Sequence, residues 1–465
     1  MSNRFLLIDY CRALGRAKLE LGDLSGAATP LAAALRLTEP ALATLYSDKD
    51  RTEWDHVSSG LYRDIVELRL RQHDEAGALE IWEWYRAAAI RFHSHAATFR
   101  VHDGTLSFSD LFDNPILPQP DEVRRRLESL THETVISFAF LDKGLAAWAY
   151  DNRGIRFHWV SLPTEDVSSL ATRFSELCAD PLSDRRTLSL LGRKLYDTLL
   201  TKFAPSLSAD RVLIFEPDGP LWALPMQALV DPEGSYLADT FALSEFPGLY
   251  YTSILPPAHV FRGDEAALVI ASPSAGNIDG AALRELPNVV SEAREVASSF
   301  HGSVINYGDS TLATLEKQIP RVQLFHFAGH ALAMPDGTAL LVASPHDGKQ
   351  GVVITASTIS QIPLGALRLV VLSGCSTEYG AEGEGLLDAS SLARAFLRGG
   401  VPEVVASHWM VDSAATELFM SAFYKALLAD NTVPAAVRTA MLRTRSEVHN
   451  SHPYYWAAFN AFGWA

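Results

Sequence analysis

The chain has 465 residues, of which 48% are hydrophobic and 20% are charged, a balance typical of globular proteins with more than one domain. Its 39 basic and 55 acidic residues give a formal charge of 39 − 55 = −16, and the short arginine clusters at residues 124–126 and 185–186 read as solvated helix faces. We therefore expect neither a nucleic-acid-binding protein nor a membrane protein, since the sequence shows no basic face and no apolar run approaching about 18 residues.

The amino-terminal residues show helical periodicity in two stretches, which predicts two helical hairpins. Gly15, Gly22 and Ala27 stand where a tetratricopeptide repeat places its small packing residues and the corner between its helices. Ala78 occupies the equivalent position 78 − 27 = 51 residues after Ala27. A tetratricopeptide repeat has about 34 residues, so an additional loop of about 17 residues is expected between the hairpins. We predict tetratricopeptide-like hairpins over residues 1–97. Two repeats are too few to be stable alone, so we expect them to dock on another surface, and a regulatory protein partner is one candidate.

Residues 98–130 have no periodicity and carry glycine and several prolines, which predicts a linker. Apolar runs at residues 135–141, 144–151 and 155–162 follow, joined by short polar turns, and predict a meander of antiparallel strands. Helical periodicity and another buried strand come next. We therefore predict that residues 131–262 form an α+β domain.

Residues 263–465 alternate strictly between strand and helix patterns. Runs such as AALVIAS, GSVINY and EVVASHW read as strands, and helical segments separate them. Such alternation builds a doubly wound, mostly parallel sheet with helices on its faces. The predicted fold class is therefore α/β.

Two apolar runs in this region each lead to a residue whose side chain can act in catalysis. LFHFAGHA contains His330 and LRLVVLSGC ends at Cys375. Working residues of a parallel sheet lie just past the carboxyl ends of its strands, so we expect these two residues to meet there. A thiol beside an imidazole is a nucleophile with its base, and the separation of 375 − 330 = 45 residues approximates the ~50 of caspases. His326, in the middle of its strand, is interpreted as a core histidine.

Cys375 is one of three cysteines, with Cys11 and Cys178. An odd and sparse count argues against a disulfide framework and for a reducing compartment. The amino terminus also lacks the order of charged, apolar and small residues that marks a secretion signal. We expect a cytoplasmic protein.

The sequence resembles the CHAT peptidases, which are caspase-like and separase-like cysteine proteases usually found with tetratricopeptide repeats. The likeness covers roughly residues 130–465 and is carried by FEPDGPLWALPMQAL, LFHFAGHA, LVVLSGCSTEYG, GEGLLDASSLARAFLRGGVPEVVASHWMVDSAAT and HPYYWAAFNAFG. It implies a caspase-like sandwich of a mostly parallel sheet between helices at residues 263–465. Separase-like enzymes carry a pseudo-protease half before the active one, for which residues 131–262 are the candidate.

Carried onto this sequence, the resemblance makes His330 the general base and Cys375 the nucleophile of an endopeptidase that cuts a protein substrate through an acyl-thioester. It also implies that the backbone N–H groups of Cys375 and Ala331 hold the oxyanion. We expect no cofactor, because no phosphate-binding G-x-x-x-x-G-K-[ST] motif exists. We expect no metal either, since His326 and His330 do not share a face and no third ligand has suitable spacing.

Three residues are candidates for the pocket that receives the substrate side chain before the cut. Trp409 offers a large rigid wall, Asp412 offers a carboxylate for a basic side chain, and Glu382 lies in the Gly-rich segment after Cys375. Asp412 also directly precedes a helical stretch and suits the N-cap of that helix. Ser373 stands where metacaspases carry the Asp that gives their Arg/Lys preference, so a basic cleavage residue competes here with a medium-sized apolar one.

Two other interpretations stay open. Small residues flank Cys375 as in a nucleophile elbow, and an α/β-hydrolase-like Cys hydrolase would take its acid and base from Asp412 and from His449 or His452. The chain could also be a catalytically idle CHAT and tetratricopeptide scaffold for protein interaction. The presence of both His330 and Cys375 favours the enzyme over the scaffold.

Overall fold

The structure is a computed structural model that describes residues 2–42, 48–88, 90, 121–273, 277–278, 281–282, 286, 288–334, 337–343, 351–377, 389–409 and 411–464. The chain packs into two compact units. The first consists of Met1–Thr131, Ser137–Thr164 and Pro247–Ser253, and the second of His132–Ile136, Glu165–Phe246 and Ile254–Ala465. The division into residues 1–97, 98–130, 131–262 and 263–465 stays a prediction, and most of the predicted linker lies outside the described residues.

The first unit combines the amino-terminal helices with a strand meander. Its helices are α1 (Ser2–Glu20), α2 (Leu24–Leu42), α3 (Asp48–Arg71), α4 (Glu75–Arg86) and α5 (Glu122–Arg126). The strands of the meander are β1 (Glu133–Leu141), which enters this unit at Ser137, β2 (Gly144–Asp151) and β3 (Gly154–Val160). Strands β2 and β3 pair antiparallel from Leu145↔Val160 to Asp151↔Gly154, as the short polar turn between them predicts.

The first helical hairpin depends on the small residues that the sequence pattern singled out. A Cβ atom at Gly15 would lie 2.6 Å from Cδ2 of Leu31, closer than side chains pack, so glycine lets α1 approach α2. Gly22 forms the corner between the helices with φ of +77°, in the left-handed region that glycine adopts without strain. Ala27 and Leu31 are fully buried. The predicted helical hairpin is therefore present.

Helix α4 carries buried polar contacts that hold the first unit together. Trp82 Nε1 donates a hydrogen bond to the carbonyl oxygen of Phe138 at 2.8 Å. The fully buried carboxylate of Glu83 accepts from the N–H of Leu249 at 2.7 Å and from Oγ of Ser137 at 3.4 Å. A buried carboxylate is stable only when such donors replace water. These contacts tie α4 to β1 and to the Pro247–Ser253 segment.

The second unit contains the predicted alternation of strands and helices. Its helices are α6 (Thr164–Ala179), α7 (Arg185–Leu199), α8 (Leu237–Thr240), α9 (Val289–Ser299), α10 (Leu312–Gln318), α11 (Ala356–Ile359), α12 (Ala389–Arg398), α13 (Ser413–Leu427), α14 (Val433–Arg445) and α15 (Pro453–Trp456). Its strands are β4 (Val212–Glu216), β5 (Leu243–Glu245), β6 (Ala266–Ala271), β7 (Asn277–Ile278), β8 (Ala281–Ala282), β9 (His301–Asn306), β10 (Leu324–Met334), β11 (Gly337–Ala343), β12 (Gly351–Ile354), β13 (Leu369–Thr377), β14 (Glu403–Ser407) and β15 (Phe459–Gly463). Across the described part of the chain, no helix combines the length and the apolar character needed to cross a membrane.

The large sheet of the second unit is mostly parallel. Its strand order is β12-β11-β10-β13-β14-β15-β5-β4, and β6 and β9 continue the sheet beside the first half of β10. The pairs β9–β6, β6–β10, β10–β13 and β13–β14 are parallel, whereas β10–β11, β11–β12 and β14–β15 are antiparallel. The central strands are buried and rich in Val and Leu, as strands covered on both faces are. The predicted α/β class with a mostly parallel sheet is confirmed.

We expect Glu83→Ala to destabilise the protein by about 3 kcal/mol, because it removes the acceptor of two buried donors and the carboxylate that lies 3.5 Å from Nε of Arg86. Urea unfolding gives the free energy of unfolding of both proteins. Glu20→Ala is the control, since Glu20 pairs with Lys143 at the surface and exposed pairs contribute little. A loss for Glu83→Ala no larger than for Glu20→Ala would contradict this role.

The carboxyl group of Glu403 should make the free energy of unfolding depend on pH. Glu403 begins β14 in a partly buried position, and burial raises the pKa of its carboxyl group from 4.5 to about 8. The folded chain therefore keeps a proton that the unfolded chain loses, and stability falls as pH rises from 4.5 to about 8. Partial exposure moderates the effect, so Glu403→Gln should gain on the order of 2 kcal/mol at the upper end of this range and almost nothing at the lower end. A gain in melting temperature that is independent of pH would contradict the assignment.

Candidate active site

The parallel ladder between β10 and β13 brings the predicted catalytic pair together. Its register runs from Leu324↔Leu369 to Leu332↔Thr377, and within it His330 is the partner of Cys375. Neighbouring strands lie about 4.8 Å apart, so two residues that are 45 positions apart in the sequence become backbone neighbours.

The two residues lie within their strands, not just past the strand ends as predicted. Strand β10 continues to Met334 and β13 to Thr377. The extension of β10 has a clear cause. Strand β11 turns back as its antiparallel partner from Ala331↔Leu340 to Met334↔Gly337, and each added pair satisfies backbone N–H and C=O groups.

His330 is fully buried at a point where β10 changes its neighbour. Strand β6 accompanies β10 as far as Ala328, and β11 begins at Ala331, so Gly329 and His330 fall between the two partners. The N–H of Ser272 donates to the carbonyl of Ala328 at 2.8 Å. A Cβ atom at Gly329 would lie 2.6 Å from Cβ of Ser272, which explains why glycine precedes the histidine.

The predicted oxyanion donors lie inside the same ladder. Ala331 is in register with Ser376 on one side and with Leu340 on the other. Cys375 is in register with His330. Because in-sheet N–H groups point toward a neighbouring strand, the N–H of Ala331 faces either β13 or β11 in this structure.

His326 is a core histidine, as predicted, and a polar network around it was not foreseen. Its ring is fully buried, with Nε2 at 3.0 Å from Oε1 of Glu292 and Nδ1 at 2.9 Å from the hydroxyl of Tyr424. Burial and the nearby Glu292 carboxylate raise the pKa of Tyr424 well above its usual value, so its hydroxyl keeps its proton. The network joins β10 to α9 and α13 four residues before His330.

The other neighbour of β13 contacts the backbone next to the predicted nucleophile. Strand β14 runs parallel to β13 from Leu369↔Glu403 to Leu372↔Ala406. At its end, the buried Oγ of Ser407 donates a hydrogen bond to the carbonyl oxygen of Gly374 at 3.0 Å. That carbonyl belongs to the peptide whose N–H is that of Cys375.

A second buried network follows Ser407. Asn460 Nδ2 lies 2.6 Å from Oε1 of Glu245 and 2.6 Å from Nε2 of His408. The Asn460 amide donates to the carboxylate of Glu245 and shares a hydrogen bond with the imidazole of His408. Burial raises the pKa of Glu245. The network links β5, β15 and the end of β14. Nothing in the sequence pattern signalled it, since Glu245 and Asn460 are 215 residues apart.

The pocket candidates have structural contacts of their own. Trp409 is buried and its Nε1 donates to the carbonyl of Tyr454 at 3.0 Å. Asp412 caps α13, since its Oδ1 accepts from the N–H groups of Ala414 and Ala415 at 3.0 and 3.2 Å. The capping interpretation of Asp412 is therefore correct, while its pocket role stays a prediction. Glu382 lies outside the described residues.

The residues of the alternative elbow mechanism make other contacts. His452 accepts a hydrogen bond at Nδ1 from the N–H of Tyr454 at 3.1 Å, and its Nε2 lies 3.1 Å from Oγ of Ser183. Burial lowers the pKa of His452. His449 is exposed, and Asp412 is the cap of α13. The strand ladder aligns His330, rather than either of these histidines, with Cys375.

The other two cysteines are poorly suited to nucleophilic attack. Cys11 and Cys178 are free thiols and both are fully buried. Burial raises the pKa of Cys11 and raises that of Cys178 well above its usual value. A thiol with a raised pKa has little thiolate at neutral pH, so neither is a candidate nucleophile.

Comparison with known proteins agrees with the resemblance. The CHAT domain family model matches residues 189–464. Tetratricopeptide repeat protein 28 of Homo sapiens is 25% identical over 402 residues, which cover 74% of this chain and 16% of that protein. The Mus musculus protein of the same name is 24% identical over 399 residues, with the same coverage. The chain thus spans about one sixth of the length of these relatives.

The crystal structure of the Saccharomyces cerevisiae separase–securin complex has a similar fold. Its TM-score is 0.51 at 12% sequence identity, over 95% of this chain and 37% of that chain. At this identity the similarity concerns the fold alone. Since the family model covers more than half of the residues, the chain belongs to the CHAT domain family and has a separase-like, cysteine-peptidase-like fold.

Proposed function

We propose that the protein is a cysteine endopeptidase that cleaves a specific protein substrate with a dyad of His330 and Cys375. The register pairing of these two residues on adjacent parallel strands carries the proposal. Register partners on neighbouring strands share one face of a pleated sheet, which supports the approach of an imidazole to a thiol. The burial of Cys11 and Cys178 leaves Cys375 as the candidate nucleophile.

The proposed reaction proceeds in two steps. His330 takes the thiol proton of Cys375, and the thiolate sulfur attacks the scissile carbonyl carbon, forming the C–S bond. The C–N bond then breaks as the imidazolium of His330 returns the proton to the leaving amine. Water, activated by the neutral imidazole, hydrolyses the thioester and regenerates the thiol and the imidazole. The reaction needs no cofactor or metal.

The arrangement of the ladder supports regulation of this activity. His330 is fully buried, and the N–H of Ala331 points toward one of its two neighbouring strands, β13 or β11. A substrate carbonyl reaches the proposed oxyanion donors, Ala331 and Cys375, only after the strand pairing around them opens. We therefore propose that the structure represents a closed state, that the isolated protein also samples an open state, and that a partner or signal raises the population of the open state.

The amino-terminal helices are the proposed binding site for a regulatory protein partner. Leu6, Tyr10 and Leu21 of the first hairpin are 67%, 56% and 84% exposed, although large apolar side chains usually pack. The similarity to a tetratricopeptide repeat protein supports this proposal. So does the structurally similar separase, which was crystallised in a complex with securin.

A catalytically idle scaffold is the second candidate. The complete burial of His330 favours it, because a base that never meets substrate would serve only as a packed side chain. Labelling or cleavage that depends on Cys375 distinguishes the enzyme from the scaffold.

For the substrate pocket we propose Trp409 as a wall, with Asp412 and Glu382 as acidic residues that favour a basic side chain before the cut. Asp412 is exposed and accepts both capping bonds at Oδ1, so capping and substrate binding are compatible. A medium-sized apolar side chain is the competing specificity.

Replacing either member of the dyad should abolish cleavage of a peptide library. We expect Cys375→Ala and His330→Ala each to lower kcat/KM by at least about a thousandfold, because both groups act in the same bond-forming step. The far-UV circular dichroism spectrum should not change. His449→Ala is the control and should retain activity, since this residue is exposed and lies outside the β10–β13 ladder. Loss of activity in the control with an active His330→Ala variant would support the elbow mechanism instead.

Asp412→Ala should lower stability by about 1 kcal/mol, because it removes an N-cap that accepts two hydrogen bonds. Asp412→Asn retains a capping oxygen without the charge and should be nearly as stable as the wild type. If Asp412 also binds substrate, both variants lose cleavage after Arg and Lys. Unchanged selectivity in library profiling, together with a lower melting temperature for Asp412→Ala alone, would exclude the pocket role.

A further inference from the structure

We propose that Ser407 is a positioning residue that orients the peptide between Gly374 and Cys375, and so directs the N–H of Cys375 toward the strand of His330. This inference rests on the proposed function, because it assigns Ser407 a part in forming the oxyanion site of that reaction. The contact that carries it is the hydrogen bond from Oγ of Ser407 to the carbonyl oxygen of Gly374 at 3.0 Å.

The strand order determines which way this peptide faces. Strand β13 lies between β14, which carries Ser407, and β10, which carries His330. The described peptide bonds include no cis form, and in a planar trans peptide the C=O and N–H groups point in opposite directions. A carbonyl of Gly374 held on the β14 side therefore places the N–H of Cys375 on the β10 side, opposite His330.

The β10–β13 ladder holds this peptide on one side, and Ser407 holds it on the other, next to the flexible residue that precedes the nucleophile. A Cβ atom at Gly374 would lie 3.1 Å from Cβ of Ala331, a tight approach that favours glycine at this position. Glycine leaves the backbone with more conformational freedom than any other residue. In addition, the regular pairing of β13 with β14 ends at Leu372↔Ala406, two residues before Gly374. The hydroxyl of Ser407 continues the contact between the strands where the ladder has stopped.

Burial and pairing with β15 hold Ser407 in position. Its side chain is buried, with 6% exposure, and its backbone pairs with Phe459 of β15. The next residue, His408, donates its N–H to the carbonyl of Ala458 at 2.9 Å and shares the buried network of Asn460. A donor fixed in this way also polarises the peptide, since a hydrogen bond to C=O strengthens the N–H of the same unit as a donor. The oxyanion of the tetrahedral intermediate would benefit from both effects.

The orientation of the peptide can be measured without any activity. Cys11 follows Tyr10 and Cys178 follows Leu177, so Gly374–Cys375 is the one Gly–Cys peptide in the sequence. The 465-residue chain labelled with ¹³C′-glycine and ¹⁵N-cysteine should therefore give a single cross-peak in a two-dimensional HNCO spectrum. We expect Ser407→Ala to shift its ¹³C′ resonance upfield, because the carbonyl loses a hydrogen bond, and Ser407→Thr to restore the wild-type position.

The matched control is Ser244→Ala. Ser244 is another buried strand serine, and its Oγ donates to the carbonyl of Gly463 at 2.8 Å on the neighbouring strand β15. This variant loses the same type of hydrogen bond in the same sheet, away from the β10–β13 ladder. It should lose a similar amount of stability while leaving the Gly374–Cys375 cross-peak in place.

The catalytic consequence separates positioning from general weakening of the fold. Ser407→Ala should lower kcat about tenfold with KM unchanged, which corresponds to one oriented hydrogen bond. A peptide aldehyde reacts with the thiol of Cys375 to form a tetrahedral hemithioacetal, whose oxygen occupies the oxyanion site. Its inhibition constant should therefore rise by the same factor. Iodoacetamide alkylates the thiolate without forming an oxyanion, so its rate at Cys375 should not change. Ser244→Ala should leave all three quantities unchanged.

Each outcome has a definite meaning. An unshifted cross-peak, or a Ser407→Ala variant with wild-type kcat and aldehyde affinity in a cleaving enzyme, overturns the positioning role and leaves the proposed function intact. Equal slowing of iodoacetamide and of cleavage also overturns it, because the thiolate rather than the oxyanion site is then affected. A wild type that neither cleaves peptides nor binds the aldehyde at Cys375 overturns the proposed function and the positioning role together.

Discussion

The parallel pairing of β10 with β13 is the constraint on which the candidate site depends. A shift of one residue would move Cys375 from His330 to Gly329 or Ala331 and turn every side chain of one strand to the opposite face. The cost of such a shift is high because both faces of these strands are buried. The bonds of His326 to Glu292 and Tyr424 add a polar constraint that fixes β10 relative to α9 and α13. The alignment of the proposed dyad is thus a consequence of core packing.

The same ladder is the basis of the proposed closed state. Pairing that continues through Leu332↔Thr377 aligns the two residues, yet it also surrounds His330 and directs the N–H of Ala331 toward another strand. Alignment and access therefore depend on different parts of the ladder. The residues before His330 and Cys375 hold the register, and those after them limit the approach of substrate. Under the proposed function, a regulator would open the pairs at and after His330 and Cys375 and leave the earlier pairs in place.

The sequence allowed prediction of what local patterns encode. The alternation of apolar runs with amphipathic segments predicted the α/β sheet, and Gly15 and Gly22 predicted the first hairpin. His330 and Cys375 were found because their residue types carry chemistry and each follows a strand-like run. Other features depend on partners that are remote in sequence. Ser407 meets the carbonyl of Gly374, and Glu83 of the helical region accepts a bond from Leu249, 166 residues later. No periodicity encodes such pairs, and the extension of β10 past His330 likewise depends on the return of β11.

Covalent labelling with a peptide chloromethyl ketone, located by mass spectrometry, tests most directly whether Cys375 is a nucleophile activated by His330. The account predicts that the probe modifies Cys375 in the wild type, that His330→Ala slows this modification strongly, and that Cys11 and Cys178 stay unmodified in the folded protein because both are fully buried. Unfolding in urea should make all three cysteines react and so confirms that each can be detected. Modification of Cys375 at the same rate in the wild type and in His330→Ala would contradict the proposed dyad.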